Sequence, residues 1–206
     1  HAEVAKQTSL NFQVFPFVGD ALSKKDIKPL LELMQSMDVA VIGPGVAEGS
    51  SFLSEMMQQA PCSIVADAGA LQASTLTDLQ GKNAVVTPHL GELDRLGITA
   101  DDLAATAKDH KLTIFLKGPT DHVVGTDGTQ QTIEGGNAGL TVGGTGDVLA
   151  GLIGGLMAQG MDPQEACVTA GTIIKRAGTQ LFHEYGYGYR TEDVVQLIPK
   201  LLQLTV

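Results

Sequence analysis

The sequence predicts an α/β domain with a mostly parallel central sheet. Three observations carry that prediction. Short apolar runs alternate with helical segments, the pattern that builds parallel sheets covered by helices. Several runs stop at glycine or proline, as the loops at the carboxyl ends of such strands do. Residues 148–158 form a helix of apolar and small residues, suited to burial on most of its faces.

Taken in order, residues 12–17 read as extended, and Ser23 with Asp26 forms a capping box that opens a helix to about Ser36. DVAVIG (38–43) is an apolar run short enough for a buried strand. Residues 50–59 are helical by composition. SIVAD (63–67) and NAVVT (83–87) read as the second and third strands, and Pro88 stops the latter. Residues 99–109 read as a helix and LTIFLK (112–117) as a fourth strand. Residues 122–126 and 129–133 flank Asp127-Gly128, a pair suited to the positive φ of a hairpin turn.

The remainder is mostly helical. Val148, Leu149, Leu152, Ile153, Leu156 and Met157 recur at helical spacing, with Ala150, Gly151, Gly154 and Gly155 between them. The Gly151/Gly155 pair is read as close packing on a sheet, because the apolar run is too short for a membrane helix. Asp162 as N-cap, Pro163 at the first position and Glu165 after it start the next helix. A last helix follows Thr191, and 185–189 (YGYGY) reads as a loop.

Composition bounds the function. The chain has 206 residues, enough for one domain that buries roughly 70% of its unfolded surface. Its net charge of −10, with no run of Lys or Arg, argues against nucleic acid as a partner. Cys62 and Cys167 are far apart and form no metal or redox motif, so both read as reduced packing residues. No signal peptide or membrane span is visible, which leads to the expectation of a cytoplasmic protein without a membrane partner. The chain begins at His1 and not at Met.

Five segments carry candidate chemistry. The strongest is GNAGLTVGGTGDVLAG (136–151). Gly143, Gly144, Thr145 and Gly146 precede the buried helix, where glycines admit a ligand to the backbone and unpaired N–H groups attract an anion. Asp147 stands at the helix start, as a simple cap or as a carboxylate that takes a proton from an acceptor hydroxyl during phosphoryl transfer. The others are TPHLGELDRL (87–96), placing His89 and Glu92 in a loop; LKGPTDHVV (116–124), ending a strand at Lys117; Gly43-Pro44-Gly45 after DVAVI; and Asp67 at the end of SIVAD. His89-x-x-Glu92 is half of a metal-site spacing without regularly placed partners. Neither a P-loop nor a well-spaced G-x-G-x-x-G is present.

GPG, VADAGAL, TPHLGELDRL, LKGPTDHVV and GNAGLTVGGTGDVLAGLIGGLMAQG, in that order, resemble the ADP/ATP-dependent NAD(P)H-hydrate dehydratases of the ribokinase-like superfamily. The resemblance runs from about Phe12 to the C-terminus. It implies a single three-layer α/β/α domain over 1–206. The implied activity is repair of NADH or NADPH hydrated across the C5–C6 bond of the nicotinamide. ADP or ATP with Mg²⁺ phosphorylates the new hydroxyl of the S-epimer, and phosphate then leaves. It further implies a homo-oligomer, commonly a tetramer.

By position, the resemblance makes Asp147 the catalytic aspartate, with Gly144 and Gly146 in the anion hole. It assigns the nucleotide to Lys117, Gly118, Pro119, Thr120 and Asp121, and to Asn137, Ala138, Gly139, Leu140, Thr141, Val142, Gly143, Gly144, Thr145 and Gly146. It assigns the hydrate to Gly45, to Thr87, Pro88, His89, Leu90, Gly91, Glu92 and Leu93, and to Asp147. Four departures stand out. Val46-Ala47 replace Leu-Gly, Gly69 replaces the second aspartate of a DAD motif, and Val142 replaces threonine. The family's glycine-rich first strand and its alanine-rich helix have no counterpart here, so the expected domain is N-terminally truncated relative to the family. Two other classes fit the glycine loop: a superfamily kinase for a small alcohol, which would release a phosphorylated product, and a nucleotide-binding domain without turnover.

Overall fold

A computed structural model describes residues 7–8, 13–17, 19 and 21–203 of the chain. Its centre is a six-stranded sheet in the order β1-β2-β3-β4-β5-β6. The strands are β1 (Val39–Ile42), β2 (Ser63–Ala66), β3 (Ala84–Val86), β4 (Thr113–Leu116), β5 (Asp121–Val124) and β6 (Gln130–Ile133). The first four are parallel, with Val39 opposite Ser63, Ile64 opposite Ala84 and Val85 opposite Thr113. β5 and β6 are antiparallel, pairing Leu116 with His122 and Val124 with Gln130.

Every parallel crossover steps the same way along the sheet. Right-handed connections then put their helices on one face. That face carries α2 (Phe52–Gln59), α3 (Thr75–Asp78), α4 (Leu90–Leu96) and α5 (Leu103–His110), with α1 (Ile27–Met34) joining them. The other face is covered by α6 (Thr145–Ala158), α7 (Pro163–Tyr185) and α8 (Thr191–Leu202). The strands serve both cores by alternation. Ile64, Ala66, Val86, Ile114 and Leu116 face the first helical layer, and Val65, Val85 and Phe115 face the second. The three-layer α/β/α arrangement is therefore present.

Most predicted elements are found within a few residues of their expected bounds. Ser23 N–H donates to Asp26 Oδ2 at 2.8 Å, as a capping box requires. Asp162 Oδ1 caps α7 by accepting from Gln164 N–H at 2.9 Å. Gly128, at φ 82°, turns the hairpin.

Four expectations need correction. Residues 13–17 join no strand, and Phe12 lies outside the described residues. His89 and Glu92 were expected in a loop, but they open α4. Glu92 folds back to accept the His89 N–H at 2.8 Å, and Leu93 and Leu96, three apart, are buried. On α6 the glycine that meets the sheet is Gly154, where a Cβ would stand 2.9 Å from Val41. Gly151 and Gly155 instead lie in open space. The 185–189 stretch is the end of α7 followed by a 3-10 turn, Gly186–Gly188. Among the described residues no helix is long and apolar enough to cross a membrane.

Candidate active site at the carboxyl ends of the strands

The N-terminus of α6 is the geometric centre of the site. Gly144 is its N-cap at φ +90°, a conformation that L side chains rarely adopt, so glycine is required there. Thr191, at the start of α8, donates its hydroxyl to Gly143 O at 2.9 Å and holds the loop from outside. The first-turn N–H groups have no partners within the helix and carry its positive dipole end. Asp147, the third residue of α6, is exposed.

Two strand-end residues lie directly beneath this loop. Asp67, 2% exposed, follows β2, and Lys117 follows β4. Lys117 Nζ is 2.7 Å from Asp67 Oδ1. A Cβ added to Gly146 would stand 3.7 Å from both Asp67 Oδ2 and Lys117 Nζ. Thus the acid–lysine pair, the anion loop and Asp147 share one locus, although the residues come from positions 67, 117 and 144–147.

The third contributor is α4. The backbone N–H of Lys117 donates to Pro88 O at 2.8 Å, which ties the end of β4 to the turn before α4. Glu92, 5% exposed, collects cations from several directions. Its Oε2 is 3.6 Å from Lys117 Nζ and its Oε1 accepts from Arg95 Nη2 at 2.8 Å. Arg95 also pairs with Glu48, in the loop after GPG. His89 is the N-cap of α4, and its half-exposed ring lies 3.6 Å from Glu92 Oε1.

The GPG turn is locked against Asp67. At Gly43 (φ +116°) a Cβ would stand 1.8 Å from Asp67 O, and at Gly69 one would stand 2.0 Å from Val46 O. The second departure from the family pattern therefore has a steric cause here, since no side chain fits at position 69. Gly45, at the exposed tip, has nothing within 4 Å of its would-be Cβ.

The GNAG stretch is fixed by groups that no local pattern announced. Asn137 Oδ1 accepts from Gly139 N–H at 2.9 Å and from Tyr189 O–H at 2.7 Å, and Asn137 Nδ2 donates to Gly178 O at 2.7 Å. Burial pushes the Tyr189 phenol above its ordinary range, which keeps the donating proton in place. Lys175, 7% exposed on α7, donates to Gly118 O at 2.8 Å and to Pro119 O at 2.7 Å, and lies 3.5 Å from Asp121 Oδ2. Burial raises the Asp121 carboxyl, while the Gly118 N–H (2.8 Å from Oδ1) and Lys175 pull it partly back. A lone lysine on the otherwise small and apolar face AxxxAGxIIKxAG was the only sequence signal for this anchor.

The predicted residues therefore divide. Gly45, His89, Leu90, Gly91, Thr141, Val142, Gly143, Gly144 and Asp147 are exposed around the loops. Lys117, Gly118, Thr120, Asn137, Ala138 and Gly146 are half-buried, and Pro119 is exposed. Thr87, Pro88, Glu92, Leu93, Asp121, Gly139 and Thr145 are buried. Leu93 points into the first core and Leu140 packs against the second, so both shape their motifs from behind. A cavity of about 690 Å³ lies outside α7, between Glu134-Gly135 of the strand exit and Lys175, Thr179 and His183. It adjoins the GNAG turn, because Gly136 N–H donates to Thr179 Oγ1 at 3.2 Å.

A sequence model described as NAD(P)H-hydrate dehydratase matches residues 1–200. The chain belongs to the NAD(P)H-hydrate dehydratase family. It is 35% identical over 197 residues to the bifunctional NAD(P)H-hydrate repair enzyme Nnr of Methanocaldococcus jannaschii, covering 94% of this chain and 39% of that protein. It is 33% identical over 218 residues to the ADP-dependent (S)-NAD(P)H-hydrate dehydratase of Cenarchaeum symbiosum, covering 98% of this chain and 75% of that relative. The dehydratase fold itself has a solved counterpart. The ADP/ATP-dependent NAD(P)H-hydrate dehydratase from Bacillus subtilis, co-crystallized with ATP/Mg²⁺, superimposes with a TM-score of 0.73 at 23% identity, over 85% of this chain and 70% of that one. The architecture is thus ribokinase-like α/β.

Proposed function

We propose that this dehydratase-family chain repairs the S-epimer of NADH hydrate or NADPH hydrate, with ADP as the phosphoryl donor and ATP as the alternative. The observation that carries the proposal is the convergence at Gly146, which places an anion-binding helix end, a buried lysine and Asp147 together. ADP dependence is supported by the archaeal relatives that carry it in their names.

Phosphoryl transfer needs little covalent help from a protein. It needs positioned donors for the charge on the moving group and an acceptor oxygen held in line. In the proposed reaction the N–H groups at Gly144 and Gly146 and the Lys117 ammonium hold the phosphate oxygens. Asp147 orients the C6 hydroxyl and takes its proton as the oxygen–phosphorus bond forms and the bond to the donor breaks. An ionised carboxylate at a helix N-terminus is a weak base, which suffices for a hydroxyl that loses its proton late. The ring nitrogen lone pair then expels phosphate from C6, and loss of a proton from C5 restores the dihydronicotinamide. His89 and Gly45, exposed on either side of the lysine, are the proposed contacts to the hydrate.

Mg²⁺ is held in such sites by one or two carboxylates together with substrate phosphates. Among the described residues no group of three or more His, Cys, Asp or Glu could enclose an ion. That donor set fits a shared site, in which Glu92 would supply the carboxylate and the nucleotide would supply the rest. There the ion neutralises charge on the phosphates. The 690 Å³ cavity beside GNAG has room for part of the nucleotide. The family's tetrameric assembly and a cytoplasmic setting belong to the same proposal.

The test is recovery of reduced-nicotinamide absorbance from purified NADH hydrate and NADPH hydrate, with ADP and ATP in parallel. Recovery with either nucleotide, and none without, is expected. A stable phosphorylated product without recovery would make the chain a kinase instead. Nucleotide binding without either product would make it a binding domain.

A further inference from the structure

We infer that Asp67 is a positioning residue, which acts by fixing the Lys117 ammonium under the anion loop; the inference rests on the phosphoryl-transfer function proposed above.

Four observations support it. First, Asp67 is 2% exposed, and its carboxylate meets Lys117 Nζ at 2.7 Å. An ion that deep is costly unless it is paired, so the carboxylate is held for its partner. Second, the backbone around Asp67 is clamped. Gly43 and Gly69 admit no Cβ because Asp67 O and Val46 O stand 1.8 and 2.0 Å from where one would be. Third, Ala68 has φ +48°, which is strained for a residue with a side chain. Among described non-glycine residues only Lys111 shares a positive φ, and it merely ends α5. The strained residue thus falls immediately after the buried carboxylate, where it sets the direction of the turn. Fourth, Lys117 has a competing partner, since Glu92 Oε2 lies 3.6 Å away. Without Asp67 the ammonium would shift toward Glu92, and hence away from the Gly146 backbone.

The consequences for binding and for rate have different signs. Asp67 is a negative charge beside a phosphate site, so neutralising it does not weaken nucleotide binding. It does leave the lysine misplaced when charge develops on the transferring group, and misplacement of about 1 Å costs on the order of 10²-fold. A general loss of structure would degrade both quantities together.

Asp67→Asn, Lys117→Ala and the double variant should be compared in kcat for NADH hydrate and in the Kd for ADP by calorimetry, which does not depend on turnover. The expected result for Asp67→Asn is a kcat lower by tenfold or more, with ADP bound as tightly as by the unmodified chain or more tightly. In the Lys117→Ala background the same change should cost nothing further. An unchanged kcat would overturn the inference. So would an equal loss in the Lys117→Ala background, which would mean that Asp67 acts directly on an ion or the substrate. ADP binding weakened in step with kcat would overturn it as well, in favour of a purely structural role. Should Asp67→Asn fail to fold, Asp67→Ser, smaller and neutral, gives the same readouts. Failure of the repair reaction is distinguishable. In that case the unmodified chain would yield no reduced nicotinamide, and the positioning role would be judged on phosphate release from ADP in the same four proteins, with the same pattern expected and the same results overturning it.

Discussion

Asp147 stands on the third residue of α6 with its carboxylate exposed, and the backbone that presents it depends on Gly144 at φ +90°. Replacing it with asparagine keeps the shape and removes the proton acceptor. Asp147→Asn should lower kcat by about 10²–10⁴ with an unchanged melting temperature, and a steady-state assay beside a thermal melt checks both. Gly43 makes a different kind of prediction. Gly43→Ala would force a Cβ to 1.8 Å from Asp67 O and hold alanine at φ +116°. A loss of about 2–5 kcal/mol in urea unfolding is expected from overpacking and backbone strain together. At this scale the sequence exposed the glycines and Asp147, because glycine clusters and a capping acid are local patterns. It hid Tyr189 and Lys175. Tyr189 reaches Asn137 across 52 positions and Lys175 reaches Gly118 across 57, and such contacts exist only once the sheet and α7 are assembled.

At the scale of elements, the parallel strands and the main helices were legible because period and punctuation agree: apolar runs end in Gly or Pro, and caps precede helices. α3 and α4 escaped notice because they are short, with four and seven residues, and because Pro88 reads as a break. In fact Pro88 ends a strand, and the His89-x-x-Glu92 spacing starts a helix. This matters to the site, since a helix fixes Glu92 beside Lys117 more firmly than a loop would. The N-cap of α7 offers a clean test of element stability. Asp162 accepts from Gln164 and Glu165 N–H groups, so Asp162→Ala should cost about 1 kcal/mol in denaturant unfolding. Dehydration kinetics should stay unchanged, because this cap lies at the far end of α7 from Lys175 and Thr179.

At the scale of the whole molecule, a protein of net charge −10 is proposed to hold a polyanion. It can do so because the attraction is local: helix N–H groups and Lys117 face the loop, and the acidic surface lies elsewhere. Titration adds a global test. Burial raises the Asp121 carboxyl, so the folded chain holds that proton more tightly than the unfolded one. Its contribution to stability is full below the unfolded value, near 3.8, and is lost as pH climbs through the raised folded value. Asp121→Asn removes this dependence while Asn Oδ1 can still accept from Gly118 N–H. Urea unfolding of both proteins from about pH 4 to pH 7 should therefore show the difference moving against the unmodified chain as pH rises. A constant difference would mean that the carboxyl is not raised. The family was legible at this scale because five motifs in fixed order say more than any one alone. The fold explains why: all five lie at the carboxyl ends of strands or at the helix starts beside them.

The central claim is that the hydroxyl oxygen of the hydrate is phosphorylated before it leaves. Hydrate prepared with heavy oxygen at C6 tests this most directly, by mass analysis of the inorganic phosphate released as NADH is recovered with ADP. The account predicts that the label appears in phosphate, one labelled oxygen for each NADH formed. Label found in water, with phosphate unlabelled, would contradict it and assign Asp147 and Lys117 to a direct dehydration that merely accompanies nucleotide hydrolysis.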